Sequence, residues 1–481
     1  MPTTSPSPAP AARLYVIAVV AALLLASPTP VYWDTWGYVR QAIAGDVGGL
    51  GLGRPVFVLV SHALARVWLD AGGSVWQVEP MLRVVWTLVS CAAAPLTWAI
   101  ARQAGLSSRA ATLAGLAVAA SPAMAHVSGT LLTDGPAAAL TLLAIVLFAR
   151  AVTMAPAGPA LPAAAGAVLG LAAGVREQSV FVLAVFALLA WAAPRGGRAR
   201  LAIAALLGCA VAVAAPLVYV VLTQPGYTDT VRGWLAGMAH DRALKTFGWR
   251  DAAVFAGWLL SLGPIVVIAA AAMLTRRSAV WQPRSVMFAV ALPSLVLIAS
   301  TAGLLGVAYS PRFLVAGFPG ALAIPGALAL DRWAGASRGR IAVVVIAIAL
   351  PVFVAVPIVR AREAPMTSTL HALPAMLLAA PPDAVIVTGY PCPAIPLVRE
   401  QIAYEHGAAA APDWQPVCPG WSWPDDLASR LEAARRDGRP VILDLRPTSW
   451  IGDEQRAALR ETQAWAGDRA SEGSTDLIVW R

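Results

Sequence analysis

The chain has 481 residues, 58% of them hydrophobic and only 13% charged, with a mean hydropathy of +0.69. A soluble globular protein carries about 25% charged and about 45–50% apolar residues, so this composition excludes a soluble enzyme, a disordered chain and a simple nucleic-acid binder. The formal net charge of +9 would suit nucleic acid, but its arginines sit where membrane topology needs them. Lysine occurs once, at Lys245, and asparagine never, as expected of a GC-rich genome, so the abundance of Ala, Arg and Pro says little about function.

A transmembrane helix needs about 20 mostly apolar residues. The predicted spans are 13–30, 81–101, 109–126, 134–152, 160–174, 178–194, 200–223, 252–274, 286–308, 312–330 and 341–359, about eleven in all. Residues 1–12 read as a disordered cytoplasmic N-terminus, Ser/Pro/Ala-rich. The first span has no clear small-x-small cleavage site and is expected to be retained. The stretch 54–69 is shorter, carries His62 and Arg66, and is expected to lie along the membrane surface or re-enter it. Between 160 and 194 one apolar run is broken by "GVREQS", read as a turn between two spans.

Orientation follows from the arginines. With the N-terminus in the cytoplasm, the inner segments hold Arg13, Arg102, Arg109, Arg150, Arg195, Arg198, Arg200, Arg276, Arg277, Arg284, Arg332, Arg338 and Arg340 against one acid, Asp331. The outer segments before residue 360 hold nine acids, among them Asp34, Asp134 and Glu177, nearly balanced by basic residues. An odd number of spans leaves the C-terminus outside.

The transmembrane region is expected over 13–360 and an extracytoplasmic α/β domain over 361–481. That tail holds eleven arginines and sixteen acids, a net of −5, and no long apolar run. "DAVIVTGY", "RPVILDLRP" and "TDLIVW" read as buried strands, and "PDDLASRLEAARRDG" as a helix closed by Gly438. Cys392 and Cys418 lie in this outer segment, where a disulfide persists, and are expected to pair. Cys91 and Cys209 fall inside spans and read as packing residues.

Charges near span ends need a reason. Asp34 follows the first span in "PVYWDTWGYVRQ"; it reads either as a helix cap within an aromatic belt or as a carboxylate base that takes a proton from an acceptor hydroxyl. Arg54 opens the interface helix after "GLGLG", as a headgroup contact or an anchor. Asp134 starts a span in "TDGP", a good helix start and also a second acid on the face of Asp34. Arg176, Glu177 and Gln178 form the charged turn at "REQ"; a guanidinium there suits phosphate. Tyr309 and Arg312 lie in "YSPRFLVAGFP", and His240 in "GMAHDRALKTF". His62, His126 and His240 show no metal-ligand spacing, and no phosphate-binding Gly-rich loop is present.

Together, the first-loop Asp34, the Pro-bearing interface helix, "TDGP", "REQ" and "PRFLVAGFP" resemble the GT-C superfamily of membrane glycosyltransferases, nearest the bacterial branch of lipid A aminoarabinose transferases and protein O-mannosyltransferases. The resemblance covers roughly 13–333. It implies an all-α polytopic bundle with interface helices in the first outer loop, acting at the outer face of the bacterial cytoplasmic membrane. It implies transfer of a sugar from a polyprenyl-phosphate donor to a hydroxyl of a lipid, glycan or protein acceptor. Asp34 matches the catalytic first-loop acid and Asp134 the second acid. Arg176 and Arg312 match basic residues that face the donor phosphate, with Phe313 where relatives have Tyr. Arg54, Glu177, Gln178, Tyr309 and His240 are candidate substrate contacts. No side-chain cluster demands a cofactor; a divalent metal could assist. The tail could hold the acceptor, cover the cavity or bind cell-wall polymer. Two other classes fit the composition, a secondary transporter and a non-enzymatic membrane protein of envelope assembly, but the charges gather at outer mouths rather than span centres.

Overall fold

The computed structural model describes residues 9–30, 32–48, 53–154, 158–193, 197–244, 259–265, 317–388, 394–417, 427–444, 472–474 and 477–480, with scattered positions between them that include Arg312 and Cys392. The expected span 286–308, Tyr309 and Cys418 lie outside the described residues, as does the side chain of His240.

In chain order the helices are α1 (Ala9–Leu25), α2 (Trp33–Ala44), α3 (Pro55–Asp70), α4 (Val78–Cys91), α5 (Ala93–Gln103), α6 (Ser108–Ala119), α7 (Pro122–Ser128), α8 (Asp134–Thr153), α9 (Ala160–Val175), α10 (Leu183–Ala192), α11 (Arg198–Thr223), α12 (Tyr227–Leu244), α13 (Ile324–Ala334), α14 (Arg338–Ala379), α15 (Ala394–His406) and α16 (Leu427–Arg436). The strands are β1 (Val385–Thr388), β2 (Gln415–Val417), β3 (Val441–Asp444), β4 (Glu472–Ser474) and β5 (Leu477–Trp480). They fall into two compact units.

The first unit gathers Met1–Ala26, Asp46–Ser61 and Met81–Val356 and is a helical bundle. Among the described residues, Val75–Gln103, Asp134–Thr153, Arg198–Thr223 and Arg338–Ala361 are long and apolar enough to cross a membrane; α6 and α7 form a further pair bent by 58°. Helices α1 and α9 and the stretch Glu177–Trp191 are apolar but shorter. The expected span 312–330 contains a π-helical turn at Pro319–Ala323 that leads into α13. Exposed Ile203, Leu207, Val211 and Leu222 on α11, and Val343, Ile346 and Phe353 on α14, give these helices apolar outer faces suited to lipid.

Small residues let the backbones approach. A Cβ on Gly166 of α9 would meet the Ala205 carbonyl oxygen of α11, one on Gly170 would come 2.6 Å from the Cys209 carbonyl oxygen, and one on Gly208 would meet the Ala163 carbonyl oxygen. Such small-residue stripes are how membrane helices gain dispersion contact without a hydrophobic driving force. Phe148 of α8 stacks on Phe186 of α10, with ring centroids 4.2 Å apart. Asp331 is paired with Arg109, which also donates to the Gly335 carbonyl; Ser107 Oγ donates to the same carboxylate at 3.0 Å.

The second unit gathers Ser27–Gly45, His62–Pro80 and Pro357–Arg481. It is discontinuous, whereas the sequence suggests one contiguous tail from 361; α14 runs unbroken through that position to Ala379. Its sheet has the order β2-β1-β3-β5-β4. β1 pairs in parallel with β2 and β3, while β5 runs antiparallel to both β3 and β4. β1, β3 and β5 are the three apolar runs expected as strands. β2 and β4 are three residues each, too short and too polar to show an alternation. α16 ends where Gly438 turns left-handed at φ 69° and Arg439 N donates to the Ala434 carbonyl at 2.9 Å.

Candidate active site

In the first unit, α9 ends at Val175 because Arg176 leaves helical space, at φ −154° and ψ 119°. A 3-10 turn, Glu177–Val182, then leads into α10. The break expected at "GVREQS" is thus one extended residue and a tight turn. The Arg176 side chain reaches α8. Its Nη1 lies 2.9 Å from Asp134 Oδ2 and donates to Thr133 Oγ1 at 3.2 Å, while its Nε donates to Gln178 Oε1 at 2.9 Å.

Asp134 is 2% exposed and Arg176 4%. At that depth salt screens the pair little, and neither charge is tolerable alone. Asp134 Oδ1 has no hydrogen-bond partner among the described residues. The "TDGP" start could have been a helix cap and nothing more. The structure differs: Thr133 makes no side-chain cap bond, and its hydroxyl accepts from Arg176.

Arg54 lies beside the same turn. It is the one non-glycine residue with positive φ among the described residues, at 49°, and follows Gly53 at 78°. A Cβ on Gly53 would come within 2.6 Å of Val47 Cγ1 and 3.2 Å of Tyr227 Cε2. One on Gly174 would strike Val56, so the start of α3 presses on the end of α9. Arg54 Nε is brought to 3.9 Å from Glu177 Oε2. Tyr227 belongs to this cluster: burial, and then the charge of Glu177, raise its phenol above the ordinary value. Val47 N donates to Gln224 Oε1 at 2.7 Å and ties the glycine-rich loop to the end of α11.

Two guanidiniums, two carboxylates, Thr133, Gln178 and Tyr227 therefore surround one turn. Thr133 and Tyr227 escape a reading of the sequence; the one signal was their position beside "DGP" and at the start of a polar loop. Arg312 is half-buried, and its carbonyl accepts from Val315 N at 3.4 Å.

Asp34 belongs to the second unit. It is the second residue of α2, half-buried, and the cap position is held by Tyr32, whose side chain makes no cap bond. The carboxylate therefore sits inside the first turn, near the positive end of the helix dipole, rather than at the cap. At the other end Gly45 turns left-handed at φ 79°, and His62 Nδ1 donates to the Ala42 carbonyl at 2.7 Å. His126 Nδ1 likewise donates to the Leu25 carbonyl at 3.1 Å. Both histidines thus satisfy orphan helix-end carbonyls. Among the described residues no group of three His, Cys, Asp or Glu side chains is arranged to hold a metal.

The chain has the fold of GT-C membrane glycosyltransferases. Superposition on ArnT from Cupriavidus metallidurans covers 98% of this chain and 96% of that one in its apo state, with a TM-score of 0.60 at 13% identity. For ArnT bound to undecaprenyl phosphate the values are 98%, 97%, 0.62 and 14%. The oligosaccharyltransferase AglB from Archaeoglobus fulgidus, in complex with an inhibitory peptide and a dolichol-phosphate, matches over 90% of this chain and 69% of its own, with a TM-score of 0.52 at 14% identity. At these identities the likeness is one of fold. The chain matches no family model and no curated protein.

Proposed function

We propose that the protein transfers a sugar from a polyprenyl-phosphate donor to an acceptor hydroxyl at the outer face of the cytoplasmic membrane. The observation that carries this reading is the convergence of Arg54 and Arg176 on one turn, Arg176 held by Asp134 at 2.9 Å and Arg54 3.9 Å from Glu177. Guanidiniums bind phosphate through charge-assisted, often bidentate hydrogen bonds. Holding them in place beforehand removes the reorganisation cost when charge develops on the leaving phosphate. The fold shared with ArnT, crystallised bound to undecaprenyl phosphate, and with AglB, in complex with a dolichol-phosphate, supports the same donor class.

In this reading the acceptor oxygen forms a bond to the anomeric carbon as the bond from that carbon to the phosphate oxygen breaks. The carbon passes through oxocarbenium character. The electron pair leaves with the polyprenyl phosphate, which Arg176, Arg54 and Arg312 stabilise. The acceptor proton goes to Asp34, the general base. Asp134 serves as the resident counter-ion of Arg176, a role the ion pair supports better than that of a second base. The N-terminus lies inside and the C-terminal sheet outside, as the arginine distribution requires.

The test is transfer of radiolabelled sugar from a polyprenyl-phosphate donor in purified, reconstituted protein. Turnover that depends on Arg176 and Asp34 is expected. Protein that binds neither the donor nor free polyprenyl phosphate would overturn the reading.

A further inference from the structure

We propose that α15, the helix that follows β1 in the C-terminal segment, sets the position of Asp34. The inference rests on Asp34 being the base, but its structural half stands within the second unit alone. α2 has only 12 residues, and a helix below about 12–15 residues is marginal in water without packing partners. It buries Trp36, Tyr38, Val39, Ala42 and Ile43, and α15 packs against it.

α15 is itself anchored at both ends. Before its first turn, Ile395 N donates to the Cys392 carbonyl at 3.1 Å, and Cys392 is disulfide-bonded. Cys392 follows β1, which lies inside the sheet between β2 and β3. Near the other end, buried Gln401 donates from Nε2 to the Val75 carbonyl at 3.4 Å, and Trp76 Nε1 donates to Glu405 Oε2 at 2.8 Å. Val75 and Trp76 lie in the segment between α3 and α4, which closes the first outer loop. The same loop carries His62, whose bond to Ala42 secures the last turn of α2. The helix that presents Asp34 is thus gripped on its buried face and at its C-terminal end by residues of one unit.

A base must be held to about 0.5 Å, and a 1 Å displacement can cost about 10²-fold in rate. Glu405, Gln401 and Val398 are therefore positioning residues. They act through α15 on α2 and need touch no substrate.

The experiment pairs hydrogen exchange with kinetics on the full-length, reconstituted protein. Val398→Ala opens a cavity on the buried side of α15, and Glu405→Ala removes the acceptor of Trp76; Glu405→Gln keeps that acceptor and is the rescue control. Expected in both alanine variants is faster exchange in α15 and in α2, with kcat lower by about 10- to 100-fold at an unchanged donor KM. Glu405→Gln should match the wild type. Faster exchange in α15 with α2 and kcat unaltered would overturn the proposal. The exchange measurement needs no turnover, so a protein that transfers no sugar refutes the transferase reading while α2 still decides this one.

Discussion

Arg176, the first residue after α9, and Asp134, the first residue of α8, form a buried ion pair with Nη1 and Oδ2 2.9 Å apart. The pair joins two helices at the same ends that hold Thr133 and Gln178, so the guanidinium is oriented by three neighbours. It is a structural strut and, in the function proposed above, also a preorganised phosphate contact, and substitutions can separate the two.

Removing one partner leaves an uncompensated buried charge, which costs about 3–5 kcal/mol. Asp134→Ala or Arg176→Ala should each lower thermal stability in detergent by that order. Asp134→Leu combined with Arg176→Met replaces the pair by apolar volume and should recover most of it. Donor binding and transfer should stay absent in the double variant. Restored transfer there would take Arg176 out of the chemistry.

Asp34→Asn should leave the fold intact and reduce transfer by about 10²–10⁴-fold, the usual worth of a positioned base. Asp34 is not the cap of α2, so Asn removes no cap bond, and it forfeits a dipole term of about 0.3–1 kcal/mol. Turnover measured beside thermal unfolding decides it: wild-type turnover would remove Asp34 from the mechanism.

Much of this arrangement is legible in the residues, and the limits have physical causes. β1, β3 and β5 show themselves because "VIVT", "VILD" and "LIVW" are runs of large apolar residues bounded by polar ones. Asp134 and Arg176 each stand out as a charge at a span end. Their pairing does not, because no helical period links the start of α8 to the turn after α9. The packing of α15 on α2 is hidden for the same reason: it joins residues 33–44 to residues 394–406. The left-handed backbone at Arg54 is hidden too, since "GLGLGR" reads as flexible where Gly53 is fixed by Val47 and Tyr227.

The orientation is testable without chemistry. A reporter active only outside the cytoplasm, fused after residue 481, should be active. A stable but inactive fusion would refute the orientation drawn from the thirteen inner arginines.

Cys392 is expected to pair with Cys418, since Cys91 and Cys209 are free and buried. A non-reduced digest should contain the linked peptides at a mass lower by two hydrogens than the sum of the separate ones. Recovery of both as free thiols, after purification without reductant, would exclude the bond.

Arg54 offers the sharpest separation of fold from function. Its φ of 49° is costly for any residue with a Cβ, by about 1–2 kcal/mol, and its Nε lies 3.9 Å from Glu177 Oε2, too far for a hydrogen bond. Arg54→Ala keeps the strained backbone and loses the contact, so it should be destabilised. Arg54→Gly loses the same contact but adopts the left-handed conformation readily. It should exceed Arg54→Ala in stability by about 1 kcal/mol, by thermal or denaturant unfolding. If the strain is retained because the guanidinium serves the donor phosphate, the two variants should lose donor affinity equally despite their different stabilities. Equal stability would mean that the left-handed turn is not maintained in solution, and undiminished donor affinity in both would place the phosphate away from Arg54.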